Sequence, residues 1–152
     1  MTLANLLAIQ RLLAFSATPE GVQRLLAAAV RNLADAQLAQ LSAENRFDAA
    51  YKCIMQCAML GLWACGYRTS TSQPGHHQTA LQALPLTMGL PNDIIIVLDA
   101  LRKQRNLNDY EGDPVSDAVV SECLAQAQAL LAHTRQFLQT QFPDLLAISK
   151  TN

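Results

Sequence analysis

Between Cys53 and Cys65 the chain reads CIMQCAMLGLWAC, a stretch in which Gln56 is the one strongly polar residue. It continues a helical pattern that opens at Ser42, a good N-cap, passes through Phe47, Tyr51, Ile54, Met55 and Leu62, and stops near Gly66. A helix that is apolar almost all round has no face to give to water. It therefore belongs at the centre of a helical bundle or in a subunit interface. It is also far short of the ~20 residues needed to span a bilayer.

The rest of the chain supplies helices to cover that rod. Thr18-Pro19-Glu20 offers a cap, a proline at the first helical position and an acid in the first turn, and begins a helix to about Leu41. Its Val22, Leu26, Ala29, Leu33 and Ala36 share one side, with Arg24, Arg31 and Asp35 opposite. A shorter helix is expected before it, from about Thr2 to Phe15. After the apolar helix, Arg68 to Gly75 (RTSTSQPG) reads as the longest loop. His77 to Met88 is a short helix interrupted by Pro85, and Gly89-Leu90-Pro91 separates it from a helix that ends near Tyr110. Ser116 caps the last helix, whose stripe runs Val120, Cys123 or Leu124, Ala127, Leu131, Thr134 and Phe137 or Leu138; residues after Pro143 are expected to fray.

The expected fold is all-α: an antiparallel four-helix-type bundle with one or two additional short helices and no strands, forming a single domain over 1–152 with its core at about 19–142. Hydrophobic residues make up 51% of the chain and charged residues 15%. So little charge implies that more surface than usual is covered, and a homodimer is expected. The formal net charge of −1 excludes a protein-wide attraction to nucleic acid, leaving only a local basic patch at Arg102, Lys103 and Arg105, joined by Arg68 if its loop folds back.

Cys53, Cys57, Cys65 and Cys123 lack CxxC spacing and read as buried, reduced thiols. His76, His77 and His133 lack the paired spacing of a zinc site, so neither metal nor cofactor is expected. The amino-terminal segment has no basic start followed by a small-residue cleavage site, which fits a cytoplasmic protein with no membrane association. No internal repeat, phosphate-binding glycine loop or nucleophile elbow is present in the sequence.

The residues most suggestive of function close the helix before the last one. Ile94, Leu98 and Leu101 form a stripe, and continuing its spacing brings up Arg105 and then Asn108 or Asp109. A guanidinium on a protein-facing stripe needs a carboxylate, a phosphate or a partner surface to satisfy it. The segment from Arg105 and Asn106 to Asp109 and Tyr110, late in a helix that precedes the long final helix of a small bundle, resembles the signature region of HEPN domains. These are the higher eukaryote and prokaryote nucleotide-binding domains, helical bundles that commonly dimerise. Their ribonuclease members carry an arginine, often an asparagine after it, and then a histidine after four to six residues. Here Tyr110 occupies that histidine's position, as in uncharacterised bacterial branches that read arginine, three residues, aspartate, tyrosine. Gly75-His76-His77, following the long apolar helix, resembles a loop of the same homologues in which a histidine is often found.

The resemblance implies a site of Arg102, Arg105, Asn106, Asp109, Tyr110 and His77, with Arg105 and Tyr110 in the catalytic positions. In the ribonuclease members, paired arginines and histidines meet across the dimer and support metal-free attack of a ribose 2′-hydroxyl on the adjacent phosphate. Histidine suits this role because its unperturbed pKa of about 6.5 lets it exchange protons near neutrality; a tyrosine at about 10 does not. Weak or absent nuclease activity is therefore expected. Three readings stay open: a nucleotide-, RNA- or partner-binding module; a metal-independent toxin-type endoribonuclease paired with a nucleotidyltransferase-type antitoxin; and a purely structural module in which Arg105 pairs with Asp109 while Arg102, Asn106 and Tyr110 complete a network.

Overall fold

The computed structural model describes residues 1–147. Its elements run α1 (Leu3–Ala8), β1 (Leu12–Ala14), α2 (Pro19–Ala36), α3 (Ala43–Ala64), β2 (Tyr67–Thr69), α4 (His76–Gln82), α5 (Leu84–Thr87), α6 (Asn92–Glu111) and α7 (Asp117–Gln141), with a 3-10 turn at Pro143–Leu146. Hydroxyls start four of the helices: Thr2, Thr18, Ser42 and Ser116 accept the backbone N–H three residues on, at 3.1, 3.0, 3.1 and 3.2 Å. Each such cap is worth about 1 kcal/mol over alanine.

The apolar rod is the centre of the bundle. α3 buries Phe47, Tyr51, Cys53, Ile54, Cys57, Leu60 and Leu62 to 2% exposure or less, so its circumference is covered within one chain. α2 and α7 provide most of that cover, with α4, α5, α6 and β2 closing the remaining sides. Gly61 is where α5 comes closest: a Cβ there would lie 2.9 Å from both Met88 Cε and Thr87 Oγ1. At the end of α3 Gly66 takes φ +93°, a left-handed turn that sends the chain into β2.

Strands are present where none was expected. The first helix stops at Ala8 rather than near Phe15, because Gln10 enters the left-handed region (φ 63°) and the following residues pair with another segment. β1 runs antiparallel to β2, with Leu12 opposite Thr69 and Ala14 opposite Tyr67. Leu12 is completely buried by the pairing, and the loop expected from Arg68 begins only at Ser70. α2 ends at Ala36, short of Leu41, where Arg46 Nε on α3 donates to the Ala36 carbonyl at 2.9 Å and occupies a helix-terminal acceptor.

Residues 143–147, expected to fray, are instead tied down. Gln23 Nε2 donates to the carbonyls of Leu145 (3.3 Å) and Ala147 (2.9 Å), and Phe142 packs on Phe137 with ring centroids 5.4 Å apart. The rest of that expected tail, 148–152, lies outside the described residues. Among the described residues no helix is long and apolar enough to cross a membrane. α6 is the least covered long helix: only Leu98 and Leu101 are buried, while Ile96 is 70% and Tyr110 86% exposed.

Candidate functional site

Helical spacing gathers the first wall of the site. Arg102, Arg105, Asn106 and Tyr110 fall three, four and eight residues apart on α6, so they rise on one face. The second wall is the start of α4, where Gly75, in the left-handed region at φ 80°, delivers His76, His77 and Gln78. Together they line an open, predominantly polar cavity of about 280 Å³ within a single chain. Five of the six residues expected at the site thus meet. Asp109 does not line the cavity; it reaches Arg105 from one turn away, with Oδ2 3.2 Å from Nε.

The two arginines are held differently. Arg102 Nε donates to Asp99 Oδ1 at 2.8 Å, and Lys103 adds a second cation at 3.5 Å. Desolvation pushes the Asp99 carboxyl up, but Arg102 and Lys103 outweigh it and leave the group below its ordinary range. Arg105, 29% exposed at its side chain, lies near two carboxylates, Asp109 at 3.2 Å and Asp48 at 3.9 Å. Its buried Nε–H points at neither and has no hydrogen-bond partner. Beneath it lies the ring of Tyr51, whose centroid is 5.3 Å from the guanidinium carbon, within cation–π range.

Tyr51 ties the floor to the second wall. Its hydroxyl is 3.2 Å from Nδ1 of His77. Burial pushes the phenol up to about 12 despite the opposing pull of Arg105 and Arg102, so it stays protonated and needs an acceptor. His77 is pushed down to about 4, first by burial and then by His76, Arg105 and Arg102. The neutral imidazole therefore accepts the Tyr51 proton at Nδ1 and carries its own hydrogen on Nε2. What the cavity offers is a set of donors: two guanidiniums, one of them already paired with Asp99, the Asn106 amide and an imidazole N–H. Such a set fits the oxygens of a phosphate or carboxylate.

Several expectations change at this level. Tyr110, in the position of the motif histidine, is a solvent-exposed lip of the cavity and not part of a buried network. Arg68 does not join the patch; it lies in β2 with its guanidinium 6.0 Å from the Phe15 ring. Cys65 is half-buried, while Cys53, Cys57 and Cys123 are buried, and all four are free thiols. Tyr51, Asp48, Asp99, His76 and Gln78 enter the site without having been assigned to it. Only the i, i+4 spacing of Phe47 and Tyr51 on α3 and the doubled histidine after Gly75 could have pointed to them. Among the described residues no group of three or more His, Cys, Asp or Glu side chains could hold a metal ion. Comparison with protein-family models, with curated proteins and with solved structures finds no match for this chain.

Proposed function

We propose that this chain is a HEPN-like binding module that takes an anionic group, a nucleotide or RNA phosphate, into the cavity between α4 and α6. The observation that carries this reading is the Arg105 guanidinium, which lines the cavity beside Arg102 and lies over the ring of Tyr51. A charge-assisted hydrogen bond from a guanidinium to an incoming oxygen is worth about 1.5–3 kcal/mol. A cavity of about 280 Å³ sits at the small end of the range for small-molecule sites, the scale of one nucleotide rather than a long oligomer. The exposed phenol of Tyr110 at the rim supplies a face on which a base can stack. A homodimer fits the bare outer side of α6, where Ile96 and Leu107 are exposed.

A second reading, metal-independent cleavage of RNA, draws on one observation: His77 brings to the Arg105 cleft the imidazole that the motif position lacks. Its depressed basicity makes it a poor proton acceptor at neutral pH, so binding without appreciable turnover is the reading favoured. The test is calorimetry at low salt with nucleoside monophosphates and short single-stranded RNA, alongside RNA incubation in chelator. Binding should be measurable and Arg105→Ala should weaken it by about 10-fold or more, as loss of a charge-assisted contact predicts. An unchanged affinity in Arg105→Ala sinks the anion site, and chelator-resistant cleavage abolished by His77→Asn would install the ribonuclease instead.

A further inference from the structure

The far end of α3 carries a second cavity of opposite character. Some twelve residues beyond Tyr51, about 18 Å along the helix axis, Trp63 meets Phe15 with ring centroids 5.0 Å apart. These two rings and Phe142, all half-buried, line a space of about 430 Å³ together with the carboxylate-bearing Asp144. Among the described residues no Lys, Arg or His lines it. Arg68, whose guanidinium is near Phe15, stays outside that lining.

The backbone reinforces the same sign of charge. α3 ends at Ala64 and α7 at Gln141, both in the wall of this cavity, and neither helix has a basic residue in its last turn. The carboxyl ends of two long helices, each equivalent to roughly half a negative charge, therefore converge here, opposed by the amino end of α2, which begins just after the lining residue Ala17. Pro143 follows directly after the α7 cap and has no N–H to give to the last carbonyls. An aromatic ring that turns its face to the cavity adds a negative quadrupole, which attracts a cation that can shed its water. A hydrated metal ion is poorly served, since Asp144 is the lone carboxylate in the lining. A methylated ammonium, large, weakly hydrated and apolar at its surface, suits both the rings and the field.

We propose that this cavity binds a small quaternary ammonium cation of the choline type. The site is independent of the α4–α6 cavity and shares no lining residue with it. Trp63 is the single tryptophan of the chain, so its fluorescence reports directly on the site. Titration of the full chain with tetramethylammonium chloride, against matched sodium and ammonium chlorides, should give a saturable emission change with half-saturation at ~0.1–10 mM for the methylated cation alone. Asp144→Asn, an exposed substitution, and Phe15→Leu should each weaken it by about 3- to 10-fold, the range for one charge or one cation–π face. Choline should compete with tetramethylammonium, and better than a peptide bearing trimethyl-lysine. The proposal is overturned by no saturable change up to ~100 mM, by an equal response to ammonium, or by wild-type affinity in both variants. A trimethyl-lysine peptide that outcompetes choline would overturn the small-cation assignment.

Discussion

Acid should loosen this fold through one imidazole. His77 has an ordinary value of 6.5 and is held down to about 4 by burial, His76, Arg105 and Arg102, so between those two values it is charged in the unfolded chain and neutral in the folded one. In that window the unfolded state binds more protons. The stability contributed by the neutral ring is complete above 6.5 and is lost as the pH falls towards 4. The full displacement sets a ceiling of about 3.4 kcal/mol. The ring is only half-buried, and solvent screening reduces the expected loss to about 1–2 kcal/mol. His77→Asn removes the titration and keeps a polar side chain, while the carboxylates titrate in both proteins and cancel in the difference. Urea unfolding at about pH 7, 6, 5 and 4.5 should therefore show wild type losing about 1–2 kcal/mol more than the variant. An anion beside Arg102 and Arg105 favours the imidazolium, so wild-type affinity for sulfate should rise through the same window more steeply than that of His77→Asn, which keeps His76 in the cavity wall. Parallel stability profiles, or a His77 titration midpoint near 6.5 by NMR, would refute the reasoning.

Two further substitutions separate the parts of the site and of the core. Tyr51→Phe keeps the ring under Arg105 and removes the hydroxyl that fixes His77; it should cost about 0.5–1.5 kcal/mol in urea unfolding and weaken anion binding several-fold, and a variant that binds as tightly as wild type would show that His77 orientation is irrelevant. Gly61→Ala sets about 1 kcal/mol of helix propensity against a Cβ placed 2.9 Å from Thr87 Oγ1 and Met88 Cε. Overpacking of this kind typically costs about 1–3 kcal/mol, so the melting temperature should fall; a rise would mean that α5 can move away from α3 freely.

The bundle was legible because its strongest signals are local. A hydroxyl at Thr18, Ser42 or Ser116 placed three residues before an N–H is a cap in almost any tertiary setting, and the apolar circumference from Cys53 to Cys65 admits few positions other than a centre. The amino terminus was misread for the opposite reason. Leu12 and Leu13 are as acceptable in a helix as in a strand, and what decides is a partner segment at Tyr67–Thr69, more than fifty residues away. Pattern within a window cannot contain that information. The early stop of α2 has the same origin, since the donor that meets Ala36 comes from Arg46 on the next helix.

The site divides along the same line. Its α6 wall follows from spacing alone, because residues three, four and eight apart must share a face. Its floor and second wall depend on how α4 docks against α3, which brings His77 to Tyr51 without any signal in sequence distance. This changes the meaning of an arginine at position 105 on the α6 stripe. A guanidinium on an apolar stripe calls for a counter-charge, and Asp109 and Asp48 supply it, yet they leave the Nε–H unanswered. Charge balance and hydrogen-bond satisfaction are separate requirements, and here only the first is met inside the chain. An ion-pair scaffold would be expected to meet both, since a fully paired arginine at that position would be more stable. The rest of the Arg105 side chain lines the polar cavity, where an acceptor from outside the chain can meet it. Tyr110, where the resemblance implies a histidine, weakens the case for catalysis and leaves this argument for binding untouched.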